Sequence, residues 1–242
     1  QSSDDRRRLR VGVWVSVMQW VWLLWVPALA AAEPSVLQRD ARALLRPESL
    51  AGLALAFGAA GLAHQWDDEL VGHIDNGLLE PVLDFGNFFF KTKHCVGSVA
   101  AIWGGSKVAS LDEVHAASGA VLRALVLSSA MVGPLKLISG RTRPDISNDL
   151  SFPSGHSANA FAIGTVLARR YGRRVGAPLL ALAATVPAAR VHERHHFFSD
   201  VVAGSILGAV AGWAVDRVGG RALSLAPVYI QGMLVLHVRR RS

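Results

Sequence analysis

Six segments rich in Ala, Leu and Val succeed one another between residues 50 and 218, and none shows the strict alternation of a half-buried strand. Their apolar patterning predicts helices over 50–64, 96–110, 116–138, 157–171, 175–189 and 201–218, with a shorter one over 78–90. The pattern predicts an all-α helical bundle of about six core helices. Only the tail, 223–238, alternates, and it contains Pro227 and Gly232, which predicts a short C-terminal hairpin. A chain of 242 residues suits one substantial domain.

The same segments raise a membrane question that composition leaves open. Hydrophobic residues make up 51% of the chain and the mean hydropathy is +0.33, above most soluble enzymes and modest for a polytopic membrane protein. Most uninterrupted apolar cores fall short of the ~18–20 residues that cross a bilayer, and Lys107 and Arg123 interrupt two of them. Charge placement points the other way. Arg169, Arg170, Arg173 and Arg174 cluster in one connection, and Arg217 and Arg221 follow the last helix. In a six-helix spanning topology both clusters lie on one side, cytoplasmic by the positive-inside rule. Arg39, Arg42 and Arg46 conflict with that topology if the segment before them is an export signal that is removed.

That segment, residues 1–32, has the layout of a secretory signal: Arg6, Arg7, Arg8 and Arg10, an apolar run over 11–29, and Ala30-Ala31-Ala32. The long run allows an uncleaved N-terminal membrane anchor as the alternative. Residues 33–222 then form the main domain and 223–242 a tail. The formal net charge of +7 suits nucleic acid, a membrane surface or an anionic substrate. The basic residues sit in loops without interleaved aromatics, so nucleic acid is not expected. Cys95 is the only cysteine, which excludes an internal disulfide and a thiolate metal cage from this chain. Asp67, Asp68 and Glu69 read as a solvated acidic loop, and His64, His73, His94, His115 and His237 show no partner pattern.

Three short segments concentrate the unusual residues. Residues 136–144 (KLISGRTRP) carry Lys136 and Arg143, with Arg141 as a third cation. Residues 152–157 (FPSGHS) place His156 after Pro153-Ser154-Gly155. Residues 189–200 (ARVHERHHFFSD) supply Arg190, His196 and Asp200. Cations, hydroxyls and free amides at a helix start suit a tetrahedral oxyanion, and Gly155 lets the backbone approach it. A phosphate in such a cage needs an in-line nucleophile and a proton donor for the leaving oxygen. Asp200 lies four residues beyond His196, on the same face if the stretch is helical. A carboxylate there orients the imidazole and stabilises positive charge on it. His196 is therefore the nucleophile candidate and His156 the general acid.

These segments resemble the type 2 phosphatidic acid phosphatase (PAP2) family, related to bacterial class A acid phosphatases and vanadium haloperoxidases. The family pattern is K-x6-RP, PSGH and SR-x5-H-x3-D. Lys136 with Arg143-Pro144, then Pro153 to His156, then Arg190, His196 and Asp200 match it at ten positions. Ala189 stands where the family has Ser. The resemblance implies that Lys136, Arg143, Ser154, Gly155 and Arg190 hold the phosphate. It also implies a phosphohistidine on His196, protonation by His156, support from Asp200, and no metal ion or other cofactor. The expected substrate is a phosphorylated lipid (phosphatidic acid, phosphatidylglycerol phosphate or an isoprenyl diphosphate) or a small phosphoester. The expected place is a bacterial-type inner membrane with the site on the periplasmic side.

Three alternatives compete. A secreted, soluble periplasmic acid phosphatase would use the same site on soluble esters. A vanadate-dependent haloperoxidase would hold vanadate as cofactor, where a phosphatase is inhibited by it. His192-Glu193-x-x-His196 also spells a zinc-peptidase motif, which requires a helix and a third ligand.

Overall fold

The computed structural model describes residues 34–71, 92–216, 223–230 and 233–240. Its helices are α1 (Pro34–Ala43), α2 (Pro47–Ala63), the one-turn α3 (Asp67–Leu70), α4 (Thr92–Val108), α5 (Asp112–Ser139), α6 (Gly155–Tyr171), α7 (Arg173–His192) and α8 (Phe198–Asp216). A 3₁₀ turn, His64–Trp66, joins α2 to α3. Strands β1 (Leu223–Ile230) and β2 (Met233–Arg240) pair antiparallel, Leu223 opposite Arg240 and Ile230 opposite Met233. The architecture is the expected helical bundle with a C-terminal hairpin. The segment 1–32, the predicted short helix 78–90, and Arg217 and Arg221 lie outside the described residues.

All six predicted long helices form, and most run a turn beyond their apolar cores because polar caps extend them. Pro47 opens α2, where its missing N–H costs nothing. Asp112 and Glu113 open α5, favourably placed against the helix dipole. Gly140 ends α5 at φ +50°, its N–H bonding to the Lys136 carbonyl at 3.2 Å. This left-handed cap turns the chain away just after Lys136. So extended, α5, α7 and α8 are long and apolar enough to cross a membrane. The short apolar cores had argued against that length. Unpredicted α1 packs on α5 through a 2.8 Å ion pair from Arg123 Nε to the buried Asp40.

The long helices alternate in direction. Glu113, at the start of α5, pairs with Arg170 at the end of α6 (3.1 Å). Arg169 stacks over Trp213 near the end of α8, 3.5 Å from the ring centroid. Gly52 in α2 faces Val210, while Asp67, beyond the end of α2, bonds Ser199 at the start of α8. Helix α2 therefore runs opposite to α8 and begins at the basic end. Arg46 is thus brought to the end that carries Arg169 and Arg170, as a positive-inside arrangement requires, so the conflict with a removed export signal stands. The three motif segments gather at the other end, roughly 25 Å away along the 17 residues of α6.

The core is lean. Leu125, Val96, Val166, Val186 and Val215 fill it, with Ala124, Ala160, Ala162, Ala183 and Ala211 between them. Small residues let helix backbones approach closely. The closest approach follows Gly204, Gly208 and Gly212, one stripe of α8. A Cβ on them would stand 2.3 Å from the Ser154 oxygen, 2.0 Å from the Ala158 oxygen and 2.7 Å from the Ala162 oxygen. Helix α8 thus seats α6 from its first turn onward. Several large apolar side chains face outward, among them Leu55, Leu62, Ile102, Ile138 and Ile146.

Candidate active site

Each motif segment is fixed by a helix terminus. Ser154 is the N-cap of α6: its hydroxyl accepts a hydrogen bond from the Ser157 N–H at 3.5 Å and one from the Ser157 hydroxyl at 3.1 Å. Gly155 and His156 follow as the first helical residues, positions whose N–H groups have no partner within a helix. The Lys136 side chain crosses over Gly155, its Cε 3.8 Å from where a Cβ would stand. Lys136 Nζ donates to the Leu150 carbonyl at 2.5 Å and the Ser151 carbonyl at 3.4 Å. Arg143 stands in the loop beyond α5, its N–H bonding the Asn148 carbonyl at 3.0 Å.

The third segment departs from the helical expectation. Helix α7 stops at His192, and Arg194 takes φ +55°. The N–H groups of His195 and His196 both donate to the Arg190 carbonyl at 3.1 Å. The chain curls back before α8 starts, so His192 and His196 do not share a helical face, and the zinc-peptidase reading loses its geometry. Glu193 instead pairs with Arg190 and lies 3.3 Å from His195 Nδ1. Among the described residues no three His, Cys, Asp or Glu converge as a metal site.

His196 and Asp200 come together across this turn. His196 is 1% exposed, and its Nδ1 lies 3.6 Å from Asp200 Oδ2, an ion-pair contact longer than a hydrogen bond. That oxygen accepts from the Ser151 hydroxyl at 2.5 Å and the Phe197 N–H at 2.9 Å. The second bond makes Asp200 the cap that starts α8. His195, by contrast, is 40% exposed and faces Asp145 and Glu193. Burial pushes His196 down to about 4; Asp200 opposes that shift, and the charges of Lys136 and Arg143 reinforce it. His156 is held well below the usual imidazole range, first by burial and then by Arg190, His196, Arg143 and Lys136. Those influences place all five groups within electrostatic reach of one another.

Arg143 and Arg190 are the other cations that act on the two histidines. Their Nε–H groups are buried without a protein acceptor. Buried donors of this kind favour an acceptor, and the Arg170 Nε–H at the far end of α6 is in the same state. Burial lowers the pKa of Arg143, Asp145 opposes that, and neighbouring Arg190 adds to it.

Three sequence expectations need correction. Arg141 is not a third cation of the cage: its guanidinium bonds Asp200 Oδ1, Asp67 Oδ2 and the Ser199 hydroxyl at 2.8, 2.8 and 2.7 Å. Asp67 is not a solvated loop residue, since it is 2% exposed and bonded to Arg141, Ser199 and His64. His64 therefore has a partner, and so does His115, which stacks on Trp103. Ser151 also escaped the sequence reading. Nothing local to the sequence marks the contacts of Arg141, Ser199 and Ser151 with the two aspartates, which join residues 49 to 132 positions apart. Ala189 is fully buried in α7. A groove of about 290 Å³ between α2 and α8, lined by Glu48, Val210 and Trp213, lies at the basic end and holds none of the candidate residues.

Comparison with known proteins places the chain in a family. Residues 117–222 match the PAP2 superfamily. A lipid A 1-phosphatase of Porphyromonas gingivalis is 36% identical over 103 residues, 39% of this chain and 23% of that protein. The chain thus spans under a quarter of that relative's length. A decaprenylphosphoryl-5-phosphoribose phosphatase of Mycobacterium tuberculosis is 30% identical over 139 residues, 53% of this chain and 75% of that protein. Among solved structures, Aquifex aeolicus LpxE shares the fold with a TM-score of 0.51 at 22% identity, over 61% of this chain and 91% of that one.

Proposed function

Because the chain belongs to the PAP2 superfamily, we propose that it is a phosphatase that removes phosphate from a lipid phosphomonoester or diphosphate. The observation that carries this reading is the buried His196–Asp200 pair beside the orphan guanidinium donors of Arg143 and Arg190. Lys136, Arg143, Arg190 and the amides that follow Ser154 hold the phosphate oxygens. His196 Nε2 attacks phosphorus as the bond to the leaving oxygen breaks, and His156 gives that oxygen a proton. Water then attacks the phosphohistidine. His156 takes the water's proton, and inorganic phosphate leaves with His196 neutral again. Asp200 holds Nδ1 and stabilises the positive charge on the phosphorylated ring. The cations that disfavour a protonated His156 are offset when a phosphate dianion enters among them. The scheme uses no metal ion, and vanadate inhibits it as a phosphate mimic.

A lipid substrate fits the surface. Leu137, Ile138 and Ile146 are exposed at the end that carries the cage, and α5, α7 and α8 have membrane-crossing length and apolarity. Exposed Arg173 and Arg174, with Arg46, mark the other end. The positive-inside rule makes that end cytoplasmic and puts the site on the periplasmic face of a bacterial-type inner membrane. Phosphatidic acid, phosphatidylglycerol phosphate and isoprenyl diphosphates are the candidate substrates.

The test is phosphate release by the full chain in detergent micelles, with and without a chelator. Lipid phosphates should be cleaved in both, and His196→Ala should lower the rate by at least about a thousandfold. Cleavage of soluble esters alone would move the reading to a secreted acid phosphatase, and loss of activity in chelator would overturn the metal-free scheme.

A further inference from the structure

The Arg141 guanidinium is bound on both sides by buried carboxylates. Its Nη1 donates to Asp200 Oδ1 and the Ser199 hydroxyl, its Nη2 to Asp67 Oδ2, and its plane lies 4.0 Å over the centre of the Phe197 ring. Asp67 spends its acceptors on the same corner. Oδ1 accepts from the Ser199 N–H at 2.7 Å, and Oδ2 from the Ser199 hydroxyl at 2.7 Å and from His64 Nδ1 at 2.6 Å. Burial acts to raise the Asp67 pKa, but the hydrogen bonds from Arg141 and Ser199 outweigh it and hold the carboxylate below its usual range. Asp67 comes from the turn after α2, 133 positions before Asp200, yet it caps the same first turn of α8.

We propose that Asp67 and Arg141 are positioning residues that hold the Asp200 carboxylate toward His196 while leaving it only partly neutralised. Two features carry this beyond a simple staple between helices. The first is charge. One guanidinium is divided between two carboxylates, so the trio keeps a net negative charge beside His196. A guanidinium given wholly to Asp200 would cancel the charge that supports the phosphorylated ring. The second is direction. Arg141 takes Oδ1, while the Ser151 hydroxyl and Phe197 N–H take Oδ2, the oxygen that faces His196 Nδ1. The carboxylate is held at both oxygens and cannot rotate. The other charged or titratable groups that act on His196 and its neighbour His156 include Lys136, Arg143 and Arg190. The cations offer no acceptor for Nδ1–H, and Asp200 Oδ2 is the carboxylate oxygen that faces it, at 3.6 Å. The inference rests on the phosphatase reading for its effect on rate, but its structural claim is separately measurable.

The test reads the His196 tautomer by ¹⁵N-histidine NMR of the full chain in micelles at pH 7.5, with the resonance assigned by its absence in His196→Gln. Wild type should show one dominant tautomer with the proton on Nδ1. Asp67→Asn, which presents an amide where Arg141 expects a carboxylate, should give a mixture of both tautomers and lower kcat about tenfold, with KM within about twofold. Arg141→Lys reaches one carboxylate but not two, and it should do the same if Asp67→Asn fails to fold. Glu113→Gln breaks a comparable ion pair at the far end and should change neither readout. An unchanged tautomer in the folded site variants overturns the proposal whatever their rates. If the tautomer mixes but wild type releases no phosphate from lipid or soluble esters, the positioning stands and the phosphatase reading falls.

Discussion

Replacing Gly208 by Ala should damage both stability and turnover, although no candidate catalytic residue is touched. The added Cβ would lie 2.0 Å from the Ala158 carbonyl oxygen, 2.7 Å from its carbon and 2.8 Å from the Ala158 Cα. These are backbone atoms of α6, so no side chain can swing aside. Ordinary contact begins at 3.4 Å, so α6 and α8 must part by roughly 1.4 Å unless the backbone bends locally. Overpacking of this kind costs about 1–3 kcal/mol, which lowers Tm by about 2–12 °C for a domain this size. The shift also moves His156, two residues before Ala158, away from His196. A displacement near 1 Å costs about a hundredfold in rate. The assay pairs thermal unfolding in micelles with phosphate release. Gly58→Ala is the control: nothing lies within 4 Å of its Cβ, and it should be neutral or stabilising by up to about 1 kcal/mol. If Gly208→Ala keeps wild-type Tm and kcat within twofold, the close seating of α6 on α8 is refuted.

Acid should loosen the fold through His196. Its folded pKa of about 4 lies below the usual 6.5, so the unfolded chain binds the proton more readily, and stability falls as pH drops from 6.5 toward 4, by about 2–3 kcal/mol. The loss should be visible in the pH dependence of Tm and absent in His196→Gln. Ile146 is 81% exposed at φ +58°, a strained position for a β-branched residue. Ile146→Asn should raise Tm slightly, leave soluble-ester hydrolysis unchanged and increase KM for micellar lipid phosphate severalfold. Arg123→Met would strand the buried Asp40 charge and should cost about 3 kcal/mol in chemical unfolding, much of it recovered by adding Asp40→Asn.

Local spacing was legible in the sequence and long-range contacts were not. Lys136, Arg143, the Ser154-Gly155-His156 turn, Arg190, His196 and Asp200 stand at fixed spacings near helix ends, and the fold brings them to one end of the bundle. Helix cores were legible from apolar runs, but their full lengths were not, because caps such as Pro47 and Asp112 add polar turns that hydropathy discards. Asp67 looked like one of three solvated acids because its partner Ser199 is 132 positions away. Arg141 looked like its neighbour Arg143, since composition cannot tell a cation facing phosphate from one facing carboxylates. The H-E-x-x-H string failed for a local reason that spacing hides: Arg194 leaves the helical region. The glycine stripe of α8 went unread, as an absent side chain leaves no mark on an apolar pattern.

Asp200 starts α8 by accepting the Phe197 N–H with the same oxygen that faces His196. One amide proton therefore witnesses the state of the site. While the carboxylate is charged and in place, the Phe197 amide should exchange slowly with solvent deuterium. Once the carboxylate turns or takes a proton, that amide should exchange freely. A single backbone signal, far simpler to follow than turnover, thus reports whether the Asp200 carboxylate is in place beside His196.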